Sequence, residues 1–282
     1  MLVAADIRTR AEVIVLRHTV RLFAALTFLP LVACADVSDQ TGDADDGIDV
    51  DEAAINEGTV ERGFEAAGLI DTATGTFCSG VLIRKNVVLT AAHCVLDDFG
   101  VKKPDAFYVG LGAPTRGSSM TVPSTTRLKK YGVAAVASFG KADDILTEDC
   151  PHQTPDVALV RLTKPVTGIE PVAIGDEPAI GTVCTVVGYG HHDVSENSAT
   201  KFQRRSAQLT LTQVFPQALL LKKKTGISNG GDSGGPLFCD GKVAAVVSCG
   251  RSDETMSTDD YYARLSTVKS RIASQLKRWG IE

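Results

Sequence analysis

The chain has 282 residues, 44% of them hydrophobic, and its 29 basic and 34 acidic side chains leave a net charge of −5 and a pI near 5.6. That length admits about two domains with a sizeable core, and the acidic balance excludes the basic footprint of a nucleic-acid binder. The one run of three lysines, Lys222-Lys223-Lys224, reads as a solvated loop.

The first predicted element is a targeting segment. Arg17 and Arg21 precede an apolar stretch over residues 22–33, shorter than the roughly 20 residues a membrane-spanning helix needs, so residues 1–33 read as a signal peptide. The stretch ends in Leu31-Val32-Ala33-Cys34, which resembles a bacterial lipoprotein box and implies lipidation of Cys34 as the new first residue. Residues 34–54 carry Asp36, Asp39, Asp43, Asp45, Asp46, Asp49, Asp51 and Glu52 with no Lys or Arg. Such a segment cannot bury enough apolar surface to fold and is predicted to be a disordered tether or propeptide. From residue 55 onward, strands are predicted over 77–83, 87–90, 107–111, 133–136, 157–162, 182–187, 243–248 and 261–265. Their connections are short and rich in turn residues, which favours barrels over βαβ units. Val268, Ile272 and Leu276 recur at helical spacing, so a closing helix is predicted over about 266–279, with Trp279 near its end.

Three short motifs carry the chemistry. They are Leu89-Thr90-Ala91-Ala92-His93-Cys94, Asp156-Val157-Ala158-Leu159 and Gly231-Asp232-Ser233-Gly234-Gly235-Pro236. A serine hydroxyl attacks a carbonyl at neutral pH only when an imidazole accepts its proton and a carboxylate orients that imidazole. Glycines around Ser233 let backbone N–H groups approach a substrate carbonyl and form an oxyanion hole. Singly, each motif has a plain reading: a packed histidine, a strand-edge aspartate, a flexible glycine turn. Their order is more telling. Gly231-Asp232-Ser233-Gly234-Gly235 also fits the nucleophile elbow of α/β-hydrolases, but that fold presents Ser, Asp, His, and here the order is His, Asp, Ser.

On these motifs the chain resembles the trypsin/chymotrypsin family of serine endopeptidases from about Ile55 to the C-terminus. The resemblance implies an all-β fold of two six-stranded antiparallel barrels within residues 55–282, the first over about 55–165 and the second over about 166–265, with the site in the cleft between them. It implies that His93 is general base then acid, that Asp156 orients it, and that Ser233 attacks. Gly231 and Ser233 would supply the oxyanion-hole N–H groups. Relatives are activated when cleavage exposes an Ile or Val amine that pairs with the aspartate before the serine, which points to Ile55 and Asp232 and a zymogen cut after Ala54. Asn56 stands where the family has valine.

Seven cysteines behind a signal peptide imply an oxidising compartment, with Cys34 the odd one if it carries lipid. The resemblance pairs Cys78 with Cys94 and Cys184 with Cys239. Cys150 and Cys249 match no standard bridge of the family, but their loops face each other near the substrate in relatives, so a bond between them is expected. In the family the floor of the primary pocket lies six residues before the catalytic serine, so the resemblance implies Ile227 there, where trypsins have Asp. Asp260 lies on a strand lining the same pocket: pointing inward it would select basic side chains, and facing solvent it would leave an apolar preference. Ser248-Cys249-Gly250 would hold an extended peptide by strand addition. No cofactor or metal is expected. His191-His192 and His152 read as surface residues. The expected protein is a monomeric serine endopeptidase acting on polypeptides, secreted or held in a bacterial envelope through Cys34 alone, and matured by an activating protease. The competing reading is an inactive relative using the same barrels as a binding module.

Overall fold

The computed structural model describes residues 55, 57–72, 77–110, 128–147, 150–190, 203–250 and 258–281. The chain divides into two units, Met1–Ile48 and Asp49–Glu282. The leader, Cys34, the acidic run and His191-His192 lie outside the described residues, and everything below concerns the second unit.

A short strand β1 (Thr59–Val60) precedes β2 (Ala67–Asp71), β3 (Phe77–Arg84) and β4 (Val87–Thr90). A 3-10 turn at His93–Val95 then leads to the small ribbon β5 (Leu96–Asp97) and β6 (Gly100–Val101). Next come β7 (Ala106–Val109), β8 (Lys129–Ser138), the one-turn helix α1 (Ala142–Ile145) and β9 (Ala158–Leu162). Strands β2-β3-β4-β9-β8-β7 close into an antiparallel barrel. The second half contributes β10 (Val183–Gly188), β11 (Arg205–Val214), β12 (Ala218–Lys223), β13 (Pro236–Cys239), β14 (Lys242–Gly250) and β15 (Asp259–Arg264). They run in the order β11-β10-β13-β14-β15-β12, and β12 returns to β11 to complete a second six-stranded ring. The chain ends in helix α2 (Lys269–Arg278).

The strands form where β-branched and aliphatic residues run together. Val87-Val88-Leu89-Thr90 is buried throughout, as a strand covered on both faces requires. The first barrel's apolar core runs on without a break into Val268, Ile272 and Leu276 of the C-terminal segment. Those three side chains are at most 5% exposed, and each stabilises the docked helix by about 1.5–3 kcal/mol on the usual scale of apolar burial. The second barrel has its own core of Val186, Leu209, Leu211, Leu219, Leu221, Leu237 and Tyr262.

Several sequence expectations are corrected. Residues 59–60 fall in the span assigned to the first barrel, yet β1 pairs with Ser206 and Arg205 on the outside of the second. Lys222 and Lys223 end strand β12 instead of forming a loop, since alternating register against β15 keeps Lys222 exposed while Leu221 stays in the core. Strand β11 opens with Arg205-Ser206, directly after Arg204, charges that hide it from a hydrophobicity reading. Arg204 is nevertheless fully buried. Its guanidinium donates to the carbonyls of Glu61, Arg62 and Gly110 and to the Tyr189 hydroxyl, which is how a buried charge is tolerated. His152 is 8% exposed, not a surface residue. Asp144 of α1 accepts the N–H groups of Gln153 and Thr154 and the Thr154 hydroxyl, drawing that loop onto the protein.

Candidate active site

Strand pairing assembles the first half of the site. Thr90 at the end of β4 lies opposite Ala158 at the start of β9, so His93, just beyond one strand, meets Asp156, just before the other. The Cys78–Cys94 disulfide ties the histidine turn to β3. Asp156 is 1% exposed. It accepts from His93 Nδ1 at 2.8 Å, from the His93 N–H at 3.0 Å and from the Ser248 hydroxyl at 2.7 Å. Burial alone would raise its pKa, but His93 and the Ser248 hydroxyl outweigh this and bring it to about 2. Burial likewise works to lower the His93 pKa, and the facing Asp156 charge overrides it, so the imidazole ends above its ordinary value. With the carboxylate ionised, Nδ1 carries the proton and Nε2 is left as the acceptor.

Ser248 reaches Asp156 from the second barrel because β14 is bulged there. Val247 pairs with Tyr262 and Cys249 with Tyr261, so Ser248 is the extra residue, and a bulge re-aims its side chain. The next residue, Cys249, is bonded to Cys150, and Cys184 is bonded to Cys239. Cys150 and Cys249 therefore link the loop before Asp156 to the strand that carries Ser248.

Ser233 arrives on the turn between the second barrel's strands. Its carbonyl accepts from the Ser79 N–H at 2.7 Å and lies 3.7 Å from Cys94 Sγ, beside His93. Gly234 follows at φ +77°, and a Cβ there would come within 2.0 Å of Thr90 Oγ1 and 2.6 Å of the Ser79 carbonyl oxygen. Only glycine fits that approach. The N–H groups of Asp232, Gly234 and Gly235 are bonded to Asn229, Val247 and Asp232 carbonyls respectively. Among the described residues those of Gly231 and Ser233 are bonded to nothing, so two neighbouring donors remain available. Gly231 has φ +93°, a conformation that favours glycine. The Ser233 hydroxyl makes no hydrogen bond to His93 in this structure.

Asp232 is fully buried, with N–H donors from Gly190 at 2.7 Å and Asn229 at 2.9 Å and no cation paired to it among the described residues. Burial pushes its pKa up to about 7, against the pull of those two donors and with a smaller push from the Asp260 charge. Ile55 is fully buried in the second barrel's core and has φ +46°, a costly backbone for a β-branched residue.

The pocket residues divide. Ile227, expected at the floor, is 5% exposed and packs within the same core as Ile55, Leu219 and Tyr262. Asp260 is 2% exposed and turns inward, accepting from the Ser228 N–H at 2.9 Å and from the Ser228 hydroxyl. Burial raises its pKa to about 6 despite those donors. Gly250 beside it is exposed at the end of β14. Among the described residues one cluster has metal-like spacing, Cys78, His93 and Cys94, but both sulfurs are spent in a disulfide and offer no thiolate. Sequence reasoning passed over Ser79 and Thr90, two hydroxyl residues that are 1% and 0% exposed behind the serine turn. The only signal was a hydroxyl inside an otherwise apolar strand.

Residues 56–272 match the Trypsin family model, and the chain belongs to that family. Mast cell protease 3 of Ovis aries is 28% identical over 222 residues, covering 72% of this chain and 79% of its own length. Thrombin-like enzyme 2 of Trimeresurus albolabris is 32% identical over 222 residues, covering 70% and 74%. Among solved structures, mouse neuropsin, a serine protease, superposes with a TM-score of 0.59 at 22% identity, over 78% of this chain and 99% of that one. A mutant of human heparin binding protein gives 0.58 at 22% identity, over 77% and 93%. At that identity the two structures speak to the fold alone.

Proposed function

We propose that this chain is a serine endopeptidase that cleaves peptide bonds through an acyl-enzyme. The observation that carries the reading is the chain of contacts Ser248–Asp156–His93 beside Ser233, next to the two unbonded N–H groups of Gly231 and Ser233. In it, His93 Nε2 takes the Ser233 proton as the hydroxyl attacks and returns it to the leaving amine. Asp156 holds the tautomer and the imidazolium charge, and the two N–H groups stabilise the oxyanion.

Two further parts belong to the same reading. The uncleaved chain is a zymogen in which Asp232 lacks its cation; cleavage after Ala54 supplies the Ile55 ammonium and relieves that residue's strained backbone. Primary specificity is for basic side chains, a reading supported by Asp260 being a buried carboxylate held by the Ser228 hydroxyl and N–H, with no cation paired to it among the described residues. Export behind the 1–33 leader, with Cys34 as a lipid anchor, completes the proposal.

The test is labelling of the processed protein with a fluorophosphonate probe followed by peptide mapping. Modification of Ser233 is expected; an intact, folded protein that stays unlabelled would defeat the enzyme reading. N-terminal sequencing of the active form should begin at Ile55, and a start at Met1 or Cys34 would remove the zymogen part alone.

A further inference from the structure

The residue passed over in the sequence, Ser79, sits where the two barrels meet the serine turn. It lies in β3, one residue after the disulfide-bonded Cys78, and is 1% exposed. Every polar atom it has is engaged. Its N–H donates to the Ser233 carbonyl at 2.7 Å, and its own carbonyl accepts from the Thr90 hydroxyl at 2.8 Å. Its hydroxyl donates to the Gly231 carbonyl at 3.0 Å and accepts from the Tyr189 N–H at 3.0 Å.

The hydroxyl therefore joins two segments of the second barrel. One is Gly231, whose carbonyl belongs to the peptide between the two free donors. The other is Tyr189-Gly190, whose next N–H donates to Asp232. A rigid strand of the first barrel thus reaches across and fixes the plane of the Gly231–Asp232 peptide from behind. Gly231 at φ +93° needs such a hold, since glycine has the widest choice of backbone conformations and nothing in its own side chain selects one. Preorganised donors are effective only while their direction is fixed before the charge develops.

Resting on the endopeptidase reading above, we propose that Ser79 is a positioning residue for the oxyanion hole, its hydroxyl locking the Gly231–Asp232 peptide so that the Gly231 and Ser233 N–H groups converge on one oxygen. It touches no substrate and moves no proton. Its effect is on the transition state, not on the binding of the peptide.

The Ser79→Ala variant tests this in the naturally processed protein. Alanine keeps the Cβ and leaves the Gly231 carbonyl and Tyr189 N–H without their shared partner. The rate of fluorophosphonate labelling at Ser233 and kcat on a peptide substrate should both fall, on the order of tenfold or more given what one oxyanion donor contributes. KM should change by less than about twofold. Affinity for a peptidyl boronic acid, which mimics the tetrahedral oxyanion, should fall in proportion to kcat/KM. Thermal unfolding run alongside separates this from loss of fold, because a purely structural residue would lower the melting temperature while leaving kcat and boronate affinity of the folded fraction unchanged. Equal labelling rates and equal boronate affinity in the two proteins would overturn the proposal and leave the enzyme reading intact. Labelling of neither protein would overturn both.

Discussion

Each polar residue of the site is defined by what neutralises or satisfies it. Asp156 is held near a pKa of 2 by His93 and Ser248, so it stays ionised throughout the working range and His93 acts against a fixed charge. On the proposed mechanism, Ser233→Ala should lower kcat by several orders of magnitude with a residual rate above the uncatalysed one; steady-state kinetics on a peptide anilide would measure it. Asp260 makes a different kind of prediction. Its pKa of about 6 means it is ionised at neutral pH and protonated below, so preference for an arginyl over a leucyl substrate should be full above pH 7. It should decline by up to about tenfold per pH unit below 6. The ratio of the two kcat/KM values isolates this effect, because protonation of His93 at low pH slows both substrates alike. Asp260→Asn should make the ratio small and independent of pH.

Among the elements, the loop carrying Cys150 and the bulged strand carrying Cys249 are the unusual pair. Their disulfide spans 99 residues of sequence and joins the two barrels beside the Ser248–Asp156 contact. Both cysteines are partly exposed, whereas the four of the other two bridges are at most 6% exposed. Replacing both with serine should cost roughly 2–4 kcal/mol by releasing the unfolded chain from a long closed loop. Urea unfolding would show it as a lower midpoint, and an unchanged midpoint would mean the barrels need no such link. The turn that bears Ser233 is constrained by space more than by energy of contact. Gly234→Ala would drive a methyl into Thr90 Oγ1 and the backbone of β3, so it should abolish activity even where the protein still folds, as circular dichroism together with probe labelling would reveal.

For the whole molecule, buried carboxylates set how stability depends on pH. Asp232 in the uncleaved chain has its pKa raised from 3.8 to about 7, so between those limits the folded state holds a proton that the unfolded state has lost. Stability from this group therefore falls as pH rises across a window from about pH 4 to 7. Asp156 acts in the opposite sense: its depressed pKa contributes stability above its ordinary value that is lost as pH falls toward about 2. Comparing the uncleaved chain with its Asp232→Asn variant by denaturant unfolding at several pH values isolates the first contribution. The variant should show the flatter dependence over pH 4–7. Cleavage after Ala54 should have the same flattening effect in the unaltered chain, since an ammonium beside Asp232 would return its pKa downward.

Along the chain, the motif order His93, Asp156, Ser233 pointed to the family and, through that resemblance, to the two-barrel fold. The proposed chemistry needs those residue types in short local contexts, and apolar strand segments such as Val87-Val88-Leu89-Thr90 announce themselves by composition. The sequence also located the closing helix through Val268, Ile272 and Leu276. Strands β11 and β12 escaped because their ends carry arginine and lysine, whose burial or exposure depends on partners far away in sequence: Arg204 is tolerated inside only through carbonyls of residues 61, 62 and 110. The direction of Asp260, the burial of His152 and the withdrawal of Ile227 into the core were likewise decided by tertiary packing. So was Ser79, whose four contacts join positions 11 to 154 residues away. Chemistry that depends on residue identity can be read along a chain, whereas orientation and desolvation are properties of neighbours that only the folded structure brings together.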